Sequence, residues 1–177
     1  MYQYKYPHPS ITADCVVLAF EESSLYVLLI ERGREPYKGC WAFPGGFMNI
    51  DETVEECARR ELEEETGLTL NHLEQLHTFS EVNRDPRERV LTVAFYTLTR
   101  RMKVKGSDDA RSAQWWKIDE LPPLAFDHPT ILRYALLRLR EKILAEPYSL
   151  EKLPDTFTTI EKLDLKKILH EIDHPLS

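Results

Sequence analysis

The sequence predicts a mixed α/β domain of the α+β kind, with helices packed on a sheet. Three observations carry this. Two β-branched, apolar runs joined by a polar turn open the chain. A capped helix signature follows them. Three further strand-like segments then precede a second helical stripe.

Taken in order, Ile11–Phe20 is apolar and β-branched, and Glu21-Glu22-Ser23-Ser24 turns it into a second buried strand, Leu25–Ile30. The stretch Glu31–Pro44 reads as a loop carrying Arg32, Arg34, Tyr37, Lys38 and Trp41, punctuated by Gly45-Gly46. Thr53–Thr66 reads as a helix. Thr53 and Glu56 have the spacing of a capping box, and Gly67 stands where a left-handed C-terminal residue belongs. Leu73–Val82 and Arg89–Thr99 read as strands joined by the polar turn Asn83-Arg84-Asp85-Pro86-Arg87, and Ser112–Ile118 as another. Leu121-Pro122-Pro123 breaks the chain. From Asp127 to Leu144, residues Ile131, Leu132, Ala135, Leu136, Leu139 and Ile143 form a helical stripe, with Asp127 as N-cap and Glu146-Pro147 as stop. The tail holds one weaker helix candidate, Ile160–Ile172.

A chain of 177 residues, 42% of them hydrophobic, fits one domain with an appendage and is too apolar to be disordered. We expect a domain over 1–145 and a partly helical extension over 146–177. No apolar run is long enough for a membrane helix, and the first residues lack the apolar core of a secretory signal. Cys15, Cys40 and Cys57 are odd in number and form no Cys-x-x-Cys pair. That disfavours a disulfide framework or a structural zinc and predicts a cytoplasmic, reducing setting.

Charge is unevenly placed. Asp51, Glu52, Glu55, Glu56, Glu61, Glu63, Glu64 and Glu65 face only Arg59 and Arg60, so this stretch holds −6 of the formal net charge of −7. On a helix Glu61, Glu64 and Glu65 share one face at i, i+3, i+4, and like charges so spaced repel. Val54, Ala58 and Leu62 take the opposite side. Such a face is either solvated or a divalent-metal site. Hard oxygen ligands select Mg²⁺ or Mn²⁺, and Mg²⁺ is commonly completed by substrate phosphates.

The longer spacing decides between the two. Gly46-x5-Glu52-x7-Arg60-Glu61-Leu62-x-Glu64-Glu65-x-Gly67-Leu68 resembles the Nudix box at every specified position. Average composition would produce that coincidence roughly once in 10⁹ starts. The resemblance implies an α/β/α sandwich, with a mixed sheet between helices, that hydrolyses a nucleoside diphosphate linked to another moiety. It also implies Glu61, Glu64, Glu65 and the Gly46 carbonyl as metal ligands, and Glu52 as an accessory ligand or the salt-bridge partner of Arg60. Leu29-Ile30-Glu31-Arg32, Trp41–Phe47, Arg84–Arg87 and Leu121–His128 resemble ADP-ribose pyrophosphatases and the Nudix-related regulators of NAD metabolism. The implied reaction is Mg²⁺-dependent cleavage of ADP-ribose, or a close nucleoside diphosphate sugar, to AMP and ribose 5-phosphate. The alternatives are a non-catalytic ADP-ribose sensor and a triphosphate-cleaving enzyme.

Other residues are read on their own chemistry. Arg84 and Arg87 are either phosphate-binding guanidiniums or a solvated turn with Asp85 as partner, and Arg32 stands similarly beside the Gly45-Gly46 pair. Asp108 and Asp109 are general-base candidates beside the box glutamates, against a plain turn. His128 is structural or substrate-contacting. Trp115 and Trp116 point to opposite faces, one into the core and the other toward a ligand or an interface. Tyr2, Tyr4 and Tyr6 can share one side of an extended segment, which with the resemblance predicts a homodimer. Leu153–Thr158 resembles the entry to the regulators' winged helix, but 19 residues after it are too few for one. Specific nucleic-acid binding is therefore not expected.

Overall fold

The computed structural model describes residues 5–105, 110–144 and 157–171. Seven strands, β1 (Ser10–Glu21), β2 (Ser24–Arg32), β3 (Trp41–Ala42), β4 (Gly45–Phe47), β5 (Glu74–Phe79), β6 (Val90–Thr99) and β7 (Ala110–Lys117), form one mixed sheet. Helix α1 (Val54–Thr66) covers one face, and α2 (His128–Leu144) and α3 (Thr159–Glu171) share the other. This is the expected α/β/α sandwich.

The alternation of β1 accounts for the two layers. Ala13, Cys15 and Val17 pack toward Cys57, Ala58 and Leu62 of α1. Val16, Leu18 and Phe20 pack toward Ile131, Leu132, Leu136 and Leu165 of α2 and α3. A strand covered on both faces reads as an unbroken apolar run, as Cys15–Phe20 does. The tail joins that second core: Phe157 is 4% exposed, and Leu165 and Leu169 are fully buried. Thr158 caps α3 in a box with Glu161, which also pairs with Arg100.

The centre of the sheet splits, and that split positions the site. β1 pairs with β6 in parallel from Ser10↔Val90 to Ala19↔Thr99. On its other edge it meets β2 only at the hairpin end, Leu18↔Val27 to Glu21↔Ser24. Beyond it the two strands part, and the gap takes β4 on β1 (Thr12↔Phe47, Asp14↔Gly45) and β3 on β2 (Ile30↔Ala42). The expected loop Glu31–Pro44 therefore contains β3, and the glycine pair is itself a strand. Two- and three-residue strands leave no period-2 pattern to read. The hairpin turns on Glu22 (φ 49°) and Ser23 (φ 53°), both left-handed.

Candidate active site

The Thr53 hydroxyl accepts from the Glu56 N–H, and the Glu56 carboxylate accepts from the Thr53 N–H, at 3.2 and 2.7 Å. Gly67 ends α1 in the left-handed region at φ 71°. Both caps are the expected ones. They fix the helix so that Glu61 and Glu65 face β4 rather than solvent.

The Gly45 N–H donates to Glu65 Oε2 at 2.9 Å. A Cβ on Gly46 would lie 2.7 Å from Glu61 Oε2 and closer still to Oε1, so the missing side chain is what lets that carboxylate reach the strand. A Cβ on Gly45 would come 2.7 Å from Asp14 Oδ1 and closer still to the Ala13 carbonyl oxygen. The pair is glycine because backbone and carboxylates occupy the space, not because of a special φ.

Arg60 lies among the remaining acids. It donates to Glu52 at 2.6 and 2.9 Å, to Glu61 at 2.7 Å, to Glu64 at 3.2 Å and to the Phe47 carbonyl at 3.1 Å. The Glu52–Arg60 bridge stands as expected. Glu61, Glu64 and Glu65 share a helix face, but their carboxylates diverge: two turn to Arg60 and one to Gly45. Among the described residues no three acid, His or Cys side chains are gathered tightly enough to hold an ion.

The donor chemistry nonetheless fits a hard cation. Burial lifts the Glu65 carboxyl to about 8 against the Gly45 N–H, with Glu61 adding repulsion. Burial raises Glu61 as well, against its Arg60 bond. These are acids whose ionised forms the protein alone compensates only in part, through Arg60 and the Gly45 N–H. Glu52 is held down to about 2 by Arg60 and the Asn49 N–H. Glu61, Glu64, Glu65 and the Gly46 carbonyl would supply an all-oxygen set.

Beside this seam lies a pocket of about 170 Å³, lined by Asp14, Arg32, Phe43, Gly45, Gly46, Phe47, Glu65, Arg84, Arg87, Phe126 and His128, among others. It gathers Arg32, Arg84, Arg87, Gly45 and Gly46 as expected, but the arginines differ. The Arg84 side chain is 4% exposed and forks onto Asp127 at 2.6 and 2.9 Å, so the solvated-turn alternative fails for it. Arg87 is 40% exposed, bonds Asp85 at 2.7 and 3.0 Å, and lies between the rings of Phe47 (5.2 Å) and Phe126 (5.6 Å). Arg32 covers the Phe126 ring at 4.7 Å and donates to the Pro36 carbonyl. Burial lowers its pKa, with Arg87 adding to the effect.

His128 is buried. Its Nδ1 accepts from the Phe43 N–H at 3.0 Å and its ring stacks on Phe43. Burial pushes it down to about 3, so it is neutral. Asp127 starts α2 with its backbone carbonyl, which accepts from Thr130 and Ile131, while its carboxylate goes to Arg84. Asp14 was not anticipated. Its Oδ2 accepts from Thr92 at 2.5 Å, and burial raises it to about 6. A single acid inside an apolar strand was the signal for it. Trp115 packs on the α1 face and donates to the Met102 carbonyl, while Trp116 packs against Trp41 on the other. Both pack against the core clusters, one on each face. Asp108 and Asp109 lie outside the described residues.

Residues 8–135 match the NUDIX domain. The chain is 40% identical over 128 residues to an ADP-ribose pyrophosphatase of Methanocaldococcus jannaschii, covering 72% of this chain and 73% of that one. It is 31% identical over 169 residues to an ADPR responsive transcriptional repressor, NtrR, of Acinetobacter baylyi, covering 93% and 68%. A MutT/nudix family protein of Enterococcus faecalis superposes with a TM-score of 0.86 at 32% identity, over 98% of this chain and 78% of that one. With a domain match over most of its length and a box complete in sequence, the chain belongs to the Nudix family of pyrophosphohydrolases.

Proposed function

We propose that the protein hydrolyses the diphosphate of ADP-ribose or a related nucleoside diphosphate sugar, with Mg²⁺ or Mn²⁺, to a nucleoside monophosphate and a sugar phosphate. The observation that carries this reading is the seam itself: Glu61 and Glu65 pressed against Gly45-Gly46 at the rim of a pocket holding Arg32 and Arg87. When bound, the cation neutralises the diphosphate and lowers the pKa of an attacking water. The chain does the rest. Arg60, anchored by Glu52, orients Glu61 and Glu64. Gly45 and Gly46 let the Glu65 and Glu61 carboxylates approach the backbone of the strand. Arg32 and Arg87 line the pocket with guanidinium charge.

A substrate panel with Mg²⁺ tests this directly. ADP-ribose should yield AMP and ribose 5-phosphate, and chelation should abolish turnover. Turnover that survives rigorous chelation, or confinement of activity to nucleoside triphosphates, would sink it.

The coverage of the Acinetobacter regulator, 93% of this chain, favours one second reading: an ADP-ribose sensor acting through DNA or protein. Tight ADP-ribose binding without turnover, together with sequence-selective retardation of DNA, would establish that instead. We further propose a homodimer. Tyr6, Ile11 and Ile50 border one groove and are 66, 38 and 68% exposed, so a second copy could cover them. Light scattering at the mass of one chain would refute this.

A further inference from the structure

Arg84 has the residue type of a ligand contact and the surroundings of a strut. Its guanidinium is 4% exposed, and two of its nitrogens are spent on the two oxygens of Asp127. Each partner adjoins one member of a cluster of rings and guanidiniums. Arg84 sits in the turn that also carries Asp85 and Arg87. Asp127 immediately follows Phe126, an aromatic residue in the left-handed region at φ 53°, where an L side chain is strained and must be held by its surroundings. The backbone of Asp127 is itself fixed by the first turn of α2.

Near these two anchors, rings and guanidiniums cluster. Arg87 lies 5.2 Å from the Phe47 ring and 5.6 Å from the Phe126 ring, Arg32 lies 4.7 Å from the Phe126 ring, and Tyr37 meets that ring edge-on at 4.8 Å. Phe47 and the Arg87 side chain are each 40% exposed, and all four of Phe47, Arg87, Phe126 and Arg32 line the pocket. Flat apolar and guanidinium faces suit a planar aromatic ring.

We propose that Arg84 and Asp127 form a positioning pair that sets Phe126 against Arg87 and so builds a stacking wall for the nucleobase of the ligand. Neither residue touches the ligand. The inference rests on the nucleoside diphosphate reading above, since it needs a ligand with a base.

The test is a double-mutant cycle of Arg84→Ala and Phe126→Ala, with binding measured in EDTA so that no turnover intervenes. The probes are ADP-ribose, which carries a base, and ribose 5-phosphate, which does not. Each single variant should weaken ADP-ribose about tenfold and leave ribose 5-phosphate within about twofold. The double variant should be no worse than the weaker single one, because Arg84 acts only through the ring. Arg84→Lys should restore little, since an ammonium cannot fork onto a carboxylate. If Arg84→Ala does not fold, Arg84→Lys takes its place in the cycle. Additive losses, or equal losses for both probes, overturn the proposal and leave the nucleoside diphosphate reading intact. A wild-type protein that binds neither probe in EDTA overturns the stacking wall, while the nucleoside diphosphate reading is decided by the Mg²⁺ substrate panel above.

Discussion

Adding one methyl group to either glycine of the Gly45-Gly46 pair separates two roles. At Gly45 the new Cβ meets the Ala13 carbonyl, which cannot move without breaking the β1–β4 pairing. At Gly46 it meets the end of a flexible carboxylate. Gly45→Ala should therefore cost several °C in melting temperature. Gly46→Ala should melt within a few °C of wild type, yet need at least ~10-fold more Mg²⁺ for half-maximal activity. Equal thermal losses in the two variants would contradict this. His128 gives the pH prediction. Its folded pKa of about 3 lies below the unfolded 6.5, so the unfolded chain takes up a proton that the native one refuses. Its contribution is present above pH 6.5 and fades as pH falls. Asp14, raised to about 6, works the other way, but it is common to wild type and variant. The stability gap between wild type and His128→Gln, from urea midpoints, should narrow between pH 7 and pH 5. A constant gap would show that His128 titrates normally. At this scale the sequence was read unevenly. The Arg60–Glu52 bridge follows from residues close along one helix and its approach. The Arg84–Asp127 fork joins two loops whose meeting only the folded sheet decides.

The elements were legible wherever a local rule suffices. Helix α1 carries its start and stop in Thr53, Glu56 and Gly67, and its bounds came out as expected. Strands β3 and β4 were missed because their existence depends on the parting of β1 and β2, a tertiary event with no local pattern. The β1–β2 turn is the reverse case, an element present despite its residues. Glu22 and Ser23 both adopt left-handed backbone without being Gly or Asn. Holding such a residue there costs about 1 kcal/mol. Glu22→Asn should recover much of it, raising stability by about 0.5 kcal/mol in denaturant melts. A neutral or negative effect would mean that the Glu22 side chain makes a compensating contact.

For the molecule as a whole, the tail matters more than its polar composition suggested. Among the described residues no helix is long and apolar enough to cross a membrane. The apolar side of α3 instead completes the α2 layer of the sandwich. Leu165→Ala, at a fully buried position, should therefore cost about 3 kcal/mol in chemical denaturation, as a core leucine does. A loss below about 1 kcal/mol would make the extension a separate appendage.

The parallel pairing of β1 with β6 also governs when this protein can fold. The β1–β2 hairpin needs only neighbouring residues, but the other edge of β1 finds its partner between Val90 and Thr99. A chain emerging from the ribosome therefore exposes a long apolar edge strand until Val90–Thr99 has been made. Loop closure across that separation is slow relative to local contacts, and an unpaired strand edge is an aggregation hazard while it lasts. The acidic stretch of α1 is synthesised within that interval. Its repelling charge would keep nascent chains apart before it is ever needed at the seam.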